Sequence, residues 1–388
     1  MDREKKLSKT IAYYASYIAI GFATGIIGPT LPGLSQHTGT TLSGISFLFP
    51  TYSIGYLVGS FLSGHLFDRV KGHPVISSSL FLLMVTMVLI PLTPIIWLLM
   101  GLFFITGMAT GGIDVGGNTL LIWVHESNVG PFMVGLHFFY GLGAFLAPMV
   151  VGQTMKFSGD IVWAYWILAC ICCPLSVLFL RLRSPEHKRR TEAEGSGGEN
   201  RLMVLFISIF IFLHVGAELS YGGWIYSYAV NLNLATKTHA AYLTSAYWGS
   251  LTLGRLISVL IAMRMKPRLI LLVDLVGCIC AMTLLLAFPL SAYSAWIGTI
   301  VLGFSIAALI PTSITFAEEN MDISGRVMSW FVIGIGGGFM FLPWLIGQLF
   351  ESKGPIILPI INLITFILAL GLLINMLVLA RRMKKQIS

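Results

Sequence analysis

Twelve long apolar segments, separated by short polar turns, follow one another along the chain. Each approaches the ~20 residues that a helix needs to cross a hydrocarbon layer of ~30 Å. Their apolar residues are continuous rather than alternating, which excludes the strands of a membrane barrel. The pattern predicts an all-α membrane protein with twelve transmembrane helices, near residues 11–34, 42–66, 75–92, 95–124, 131–155, 161–182, 202–230, 239–263, 269–288, 293–316, 326–350 and 355–380.

A polar, Gly/Ser-rich segment near the midpoint divides these helices six and six. Its sequence, RSPEHKRRTEAEGSGGENR, is typical of a linker. We therefore expect an N-terminal six-helix half at 1–182, a cytoplasmic linker at 183–201 and a C-terminal six-helix half at 202–388.

Two glycine motifs recur in the second half and indicate that the halves are duplicated. The pattern G-x-G-(x4)-P-(x3)-G-Q begins at Gly141 and again at Gly336, an offset of 195. A second pattern begins at Gly59 and again at Gly249, an offset of 190. Internal repeats of this kind predict two pseudo-symmetric halves around a central site.

Composition and charge placement support the membrane interpretation. Hydrophobic residues make up 56% of the chain and charged residues 10%, against ~25% charged in soluble domains. The net charge of +8 does not indicate nucleic acid, because 20 of the 24 Lys and Arg lie in the N-terminus, alternate loops and the C-terminus. The positive-inside rule then places both termini in the cytoplasm. We expect a monomeric, multi-pass protein of the cell inner membrane or plasma membrane, surrounded by lipid bilayer.

One acid, Asp114, lies near the middle of the glycine-rich fourth segment. A carboxylate at this depth costs about 2.5–3.5 kcal/mol on insertion scales, so such groups face a protein interior or a cavity and mark pathways. Asn118 lies one helical turn further on the same face. We therefore expect both residues to line a pathway through the membrane.

A second polar centre lies in the seventh segment, where Glu218 is the acid and His214 precedes it by one turn. Tyr221, Trp224 and Tyr228 share a broad face with them, and aromatic faces beside carboxylates suit sugars. Interfacial aromatic belts are the alternative explanation. We also expect the Gly222–Gly223 pair to break the helix locally.

Three further polar residues lie within apolar segments. His137 and Tyr140, in the fifth segment, are predicted to meet the fourth near Asp114 and contact substrate, although a mid-helix His is also a common packing residue. Arg255, in the eighth, is expected to form a structural or gating ion pair with Asp274 or a helix C-terminus.

Signatures of enzyme chemistry are missing from the sequence. It contains no Walker loop, metal-ligand spacing or nucleophile constellation, so we expect neither an enzyme nor a metal site.

The stretch GHLFDRVKGHP, Gly64 to Pro74, resembles the signature of the major facilitator superfamily between its second and third helices. Gly64, Asp68 and Arg69 match, whereas Gly72 falls one place late. The resemblance implies a twelve-helix fold that works by alternating access, with Asp68 and Arg69 acting at the cytoplasmic gate.

Four longer stretches resemble one branch of that superfamily, the fucose–proton symporters and their sodium-dependent glucose transporter-like members. They are GGIDVGGN, LHFFYGLGAFLAP, VGAELSYGGWIYSYA and AYLTSAYWGSLTLGRL. The branch carries an acid in a G-x-x-E-x-x-x-N pattern on helix four, where Asp114 and Asn118 stand here. The resemblance implies that Asp114 couples transport to a cation and that Asn118 contacts substrate. The branch also uses an acid on helix one, and residues 21–34 of this chain hold none. The resemblance implies that Glu218 replaces it.

The resemblance and the two polar centres together predict a secondary transporter. We expect symport of a neutral monosaccharide, coupled to a proton or to sodium and requiring no cofactor. A proton-coupled antiporter of drugs or amphiphiles is the first alternative. A non-transporting membrane receptor is a remote one, since the short loops leave little surface for partners.

Overall fold

Helices account for nearly all of the structure, a computed structural model that describes residues 3–67, 69–185 and 201–387. No strand occurs among these residues. The helices are α1 (Arg3–Gly25), α2 (Ile27–Thr38), α3 (Leu42–Ile45), α4 (Leu48–Phe67), α5 (Gly72–Leu89), α6 (Ile96–His125), α7 (Gly130–Ser158), α8 (Val162–Arg181), α9 (Arg201–Asn231), α10 (Lys237–Ala262), α11 (Pro267–Ala287), α12 (Ala292–Ile306), α13 (Leu309–Glu318), α14 (Gly325–Lys353) and α15 (Ile357–Ile387).

Most of these helices are long and apolar enough to cross a membrane. Ten crossing segments meet both conditions within the described residues, and the bent pair of α1 and α2 gives an eleventh. Helix α10, with 26 residues, is also long enough but is more polar, because it carries Arg255 and several hydroxyl side chains. With α10, the crossing segments agree with the twelve that the sequence predicts.

Three of the predicted helices are interrupted. The second segment divides into α3 and α4 at residues 46–47, and a proline accounts for each of the other two breaks. The α1–α2 pair bends by 50° at Ile26, and α12 gives way to α13 at residues 307–308. Proline has no N–H for the carbonyl four residues earlier. Pro29 therefore leaves the Gly25 carbonyl without its helical partner, and Pro311 does the same for Ala307.

The break predicted at Gly222–Gly223 is wrong. Helix α9 is continuous from Arg201 to Asn231, and both glycines are buried within it. Glycine permits a break without imposing one, and no proline lies nearby. Close packing of α9 along α14 and α15 instead favours the straight helix.

Chain contacts divide the molecule into two compact units. The first comprises Met1–Arg190 with Ala235–Gly249, and the second Thr191–Leu234 with Ser250–Ser388. The first part of α10 belongs to the first unit because it packs on α7, where the Gln153 amide donates to the Tyr242 hydroxyl. Residues 186–200 of the predicted linker lie outside the described residues. The division at 182 and 202 stays a prediction.

Within the first unit, α1 packs along α7, α4 along α6 and α5 along α8. Glycines permit the close approaches. A Cβ on Gly55 or Gly59 would overlap the backbone carbonyl of Phe104 or Met108 on α6, and one on Gly143 would overlap that of Ile18. Small residues at such crossings let helix backbones touch.

The second unit repeats this pairing, with α9 along α14 and α11 along α15. Gly338 approaches the Phe212 carbonyl as Gly143 approaches that of Ile18, which fits the offset of 195. By the same test Gly59 corresponds to Gly254, which approaches Phe304 on α12. The offset of 190 is therefore wrong, and one register of 195 relates both glycine contacts.

Candidate functional site

Asp114 lies on α6 and is half-buried, held by hydrogen bonds from three neutral side chains. The Tyr17 hydroxyl of α1 donates to Oδ1 at 2.7 Å, and the Tyr56 hydroxyl of α4 donates to Oδ2 at 2.5 Å. The Asn118 amide lies 3.2 Å from Oδ1 and donates to the Tyr17 hydroxyl at 2.7 Å. Three helices of the first unit therefore converge on one carboxylate.

This environment satisfies the carboxylate without neutralising it. Both oxygens accept from phenols, which is the pattern expected of an ionised acid. Among the residues that the structure describes, no Lys, Arg or His forms an ion pair with Asp114. Neutral donors stabilise a charge by about 1.5–3 kcal/mol each and leave its net value unchanged. A cation that reached Asp114 would meet an uncompensated negative charge.

Glycine positions explain how α6 receives these partners. A Cβ on Gly117 would overlap the Tyr17 ring, and one on Gly107 would overlap the Tyr52 carbonyl of α4. The glycines that made this helix unusual in sequence thus bring Tyr17 against it and α4 close to it. Sequence reasoning identified Asp114 and Asn118 but missed Tyr17 and Tyr56.

His137 lies on the exposed side of this cluster. Its ring packs edge-on against Tyr17, with centroids 6.2 Å apart, so it approaches Asp114 through the tyrosine. Tyr140, one turn along α7, is half-buried, and its backbone carbonyl lies where a Cβ of Gly21 would be. The structure therefore brings α7 beside the Asp114 site, and the substrate contacts of both residues stay predictions.

The second polar centre lies in the second unit and joins the buried Glu218 and His214 to the partly exposed Arg255. The Arg255 guanidinium of α10 donates to Glu218 Oε1 of α9 at 3.0 Å, and His214 Nε2 lies 3.5 Å from Oε2. The side chain of Glu218 is 8% exposed and that of Arg255 is 27% exposed. Glu218 is therefore a paired acid, unlike Asp114.

The Arg255–Glu218 pair corrects the predicted pairing of Arg255 with Asp274 or a helix end. Asp274 lies on α11, and its buried Oδ2 has no hydrogen-bond partner in the described structure. Arg255 and Glu218 meet because the part of α10 from Ser250 onward belongs to the second unit together with α9, which sequence spacing cannot show. The coupling role of Glu218 and the gating role of Arg255 remain predictions.

Tyr221, Trp224 and Tyr228 are fully buried in the second unit. The Tyr221 hydroxyl lies 2.8 Å from that of Thr299, and Trp224 donates to the Pro343 carbonyl at 2.8 Å while stacking on Phe350. The Tyr228 hydroxyl lies 3.4 Å from the Pro289 carbonyl. The polar atoms of these three side chains therefore contact other protein groups, and the predicted sugar contacts stay predictions.

Of the two predicted gate residues, the structure describes Arg69, which follows α4. Asp68 falls outside the described residues, and Arg69 is exposed. The neighbouring His73, which sequence reasoning left aside, is fully buried and joins three elements. Its Nδ1 lies 2.9 Å from the Leu182 carbonyl, and its Nε2 lies 2.8 Å from the Tyr13 hydroxyl.

Metal binding has no support in the side chains. No cluster of three His, Cys, Asp or Glu in the described part of the chain could hold a metal ion. All five cysteines are free, and only Cys172 and Cys278 are buried.

The helix pairing, the internal repeat and the intramembrane acids define a transporter of the major facilitator type. The sequence profile described as Major Facilitator Superfamily matches residues 13–343, most of the chain. The chain belongs to this superfamily, which confirms the predicted all-α fold.

Among curated proteins the chain is similar to sodium-dependent glucose transporters. It is 28% identical to sodium-dependent glucose transporter 1A of Mus musculus over 374 residues, covering 87% of this chain and 88% of that protein. It is 29% identical to sodium-dependent glucose transporter 1 of Homo sapiens over 380 residues, covering 88% and 73%. The resemblance to sodium-dependent glucose transporters that the sequence motifs indicate is thereby confirmed.

Solved structures agree on the fold. The nucleoside transporter NupG superposes with a TM-score of 0.76 at 15% identity, covering 97% of this chain and 99% of that one. A D-xylose–proton symporter gives a TM-score of 0.73 at 12% identity, covering 94% and 97%. At these identities the likeness extends to architecture alone.

Proposed function

We propose that this protein is a secondary transporter that takes up a neutral monosaccharide together with a cation. The observation that carries the proposal is Asp114, a half-buried carboxylate inside the membrane that has neutral donors and no ion-pair partner among the described residues. Such acids mark ion pathways. The relatives named sodium-dependent glucose transporters support both the sugar and the cation.

The coupling cation is sodium or a proton. Sodium is supported by the names of the curated relatives. A proton is supported by the chemistry of a single carboxylate, because one acid takes up a proton readily whereas sodium requires several oxygen ligands. Tyr17 and Tyr56 would supply further oxygens to sodium, provided that their hydroxyls turned away from Asp114.

Other properties belong to the same proposal. The protein moves its substrate without chemical change and acts as a monomer in the cell inner membrane or plasma membrane, with both termini in the cytoplasm. The distribution of Lys and Arg supports the orientation.

Proteoliposomes test the proposal. Uptake of radiolabelled glucose and other monosaccharides is measured under an inward sodium gradient, an inward proton gradient or neither. We expect one gradient to drive accumulation and Asp114→Asn to reduce it by at least about fivefold, the lower end for coupled sites. Asp160→Asn, which changes an exposed acid outside the helices, is the matched control and should accumulate sugar normally.

Two results would contradict the proposal. Gradient-driven uptake that is unchanged in Asp114→Asn would remove the coupling role from this residue. Extrusion of amphipathic cations under a proton gradient, with no sugar uptake, would replace symport by drug antiport.

A further inference from the structure

A basic cavity of about 710 Å³ opens in the first unit at the end of the helices where Lys and Arg concentrate. Four cations line it: Arg69 and Lys71 from the segment between α4 and α5, and Arg181 and Arg183 from the end of α8 and the residues after it. No acid of the described chain is in its lining, and Asp68 lies outside the described residues.

The cations of the cavity have no ion-pair partner within the part of the chain that the structure describes. None of the four forms an ion pair with any residue in the described portion of the molecule. Four like charges around one concavity repel one another, and the low-dielectric walls strengthen their field. An anion in the cavity would relieve this repulsion.

Buried contacts hold the two basic segments together. The His73 backbone N–H donates to the Ser184 hydroxyl at 3.0 Å, and the His73 ring bonds the Leu182 carbonyl. These bonds tie the end of α8 to the start of α5. The positive end of α5 also begins at this wall, at Gly72, and adds to the field. The cavity is therefore a fixed feature of the fold rather than a chance meeting of mobile side chains.

The surroundings favour a lipid as the source of the anion. Trp123 and Leu180 line the cavity beside its cations, and Leu180 is 65% exposed near the end of α8, a helix long and apolar enough to cross a membrane. Val70, also in the lining, is 50% exposed. A headgroup in the cavity would leave its acyl chains against this apolar surface. Basic pockets at the cytoplasmic ends of helices bind phosphorylated headgroups in this way.

We infer that this cavity is a binding site for a phosphate-bearing anion, the headgroup of an anionic phospholipid. Where positively charged loops only set topology, any of their cations attracts anionic lipid weakly and to a similar degree. A cavity of fixed shape instead binds one headgroup through the particular cations that line it. The inference uses the fold and its charges and is independent of the sugar and the coupling cation. Its failure would leave the proposed function untouched.

Thermal unfolding of the purified full chain in an uncharged detergent tests the site. A ligand that binds the folded state raises Tm with its concentration. The probes are phosphatidylglycerol, a monophosphorylated phosphatidylinositol, phosphatidylcholine and inorganic phosphate. Stabilisation by the anionic lipids alone supports the lipid source, and equal stabilisation by inorganic phosphate supports the same site with a soluble ligand.

A matched pair of double variants locates the binding. Arg181→Gln with Arg183→Gln removes two cations from the cavity. Arg264→Gln with Arg268→Gln removes two exposed cations in the other unit, one between α10 and α11 and one in the first turn of α11. We expect the cavity variant to bind about 25-fold more weakly, or about fivefold for each cation, which corresponds to about 1 kcal/mol per charge near a membrane surface. The control should bind as the parent does.

Three results would overturn the inference: equal losses in both double variants, stabilisation by phosphatidylcholine as strong as by anionic lipid, or no stabilisation by any probe. Should the double variant fail to fold, Lys71→Gln on the facing wall provides an independent test. Its expected loss is about fivefold, and unchanged binding would count against the site.

Discussion

At the scale of single residues, the two intramembrane acids have opposite environments. Asp114 is half-buried and bonded to neutral donors, whereas Glu218 is buried and paired with Arg255. The charge of a paired acid is already balanced, so Glu218 has less need of a mobile cation. This difference favours Asp114 as the coupling residue and assigns Glu218 a structural contribution that can be measured.

A double-mutant cycle on Glu218 and Arg255 measures that contribution. Arg255→Met should lower the stability of the purified protein most, because it leaves the buried carboxylate of Glu218 without its cation, at a cost approaching about 3 kcal/mol. Glu218→Gln should cost less, since Arg255 reaches solvent. The double variant should be more stable than Arg255→Met alone. The measurement is Tm in detergent, with Arg264→Gln as an exposed control.

Strict additivity of the two single changes would contradict this expectation. Residues in one charge pair show interaction energies of about 0.5–3 kcal/mol, whereas independent sites add. An additive cycle would mean that the pair does not stabilise the folded protein.

At the scale of helices, two glycines of α4 differ in whether a neighbouring helix packs against them. Gly55 and Gly64 both lie in this helix. A Cβ on Gly55 would overlap the Phe104 carbonyl, whereas one on Gly64 would meet nothing within 4 Å. Only the first of them is a site of close approach.

Alanine at these two positions should therefore have opposite effects. Gly55→Ala should force α4 away from α6 and lower both Tm and the yield of folded protein. Gly64→Ala should be neutral or stabilising by up to about 1 kcal/mol, because alanine favours a helix over glycine. Thermal unfolding and size-exclusion profiles measure both effects. Equal destabilisation by the two changes would show that helix packing is not what distinguishes them.

Helix-scale features also show how far the sequence could be taken. Apolar segment length located the crossing helices, since that signal is local and long. The sequence analysis did not predict the breaks at Ile26 and Ala307, which Pro29 and Pro311 explain. Other prolines, such as Pro148 in α7, lie inside continuous helices. Whether a proline breaks a helix depends on the packing around it, which the sequence does not show.

The candidate site was predictable only on one helix at a time. Asp114 and Asn118 lie one turn apart on α6, so their spacing was enough to associate them. Tyr17 and Tyr56 come from α1 and α4 and reach Asp114 only when the first unit has folded. Arg255 reached Glu218 for the same reason. Contacts between distant segments depend on the tertiary arrangement, and the spacing of residues in a single sequence does not show which segments meet.

At the scale of the whole molecule, the Lys and Arg distribution predicts orientation. The loops between α4 and α5 and between α10 and α11 are basic, whereas the segment between α7 and α8 has little positive charge. Translocation of a basic loop is disfavoured, so these loops and both termini should remain in the cytoplasm.

Reporter fusions test this orientation. Green fluorescent protein fused after Ser388 should fluoresce, because it folds in the cytoplasm, and alkaline phosphatase at the same site should be inactive. The pattern should reverse for fusions at Gly159, on the turn between α7 and α8. Replacing Arg264 and Arg268 with glutamine should leave the orientation unchanged, because the remaining basic loops still carry most of the positive charge. An active phosphatase after Ser388 in the parent chain would show that the topology is the opposite of the one predicted. The basic cavity would then lie on the other face of the membrane, away from the anionic cytoplasmic leaflet that its charges suit.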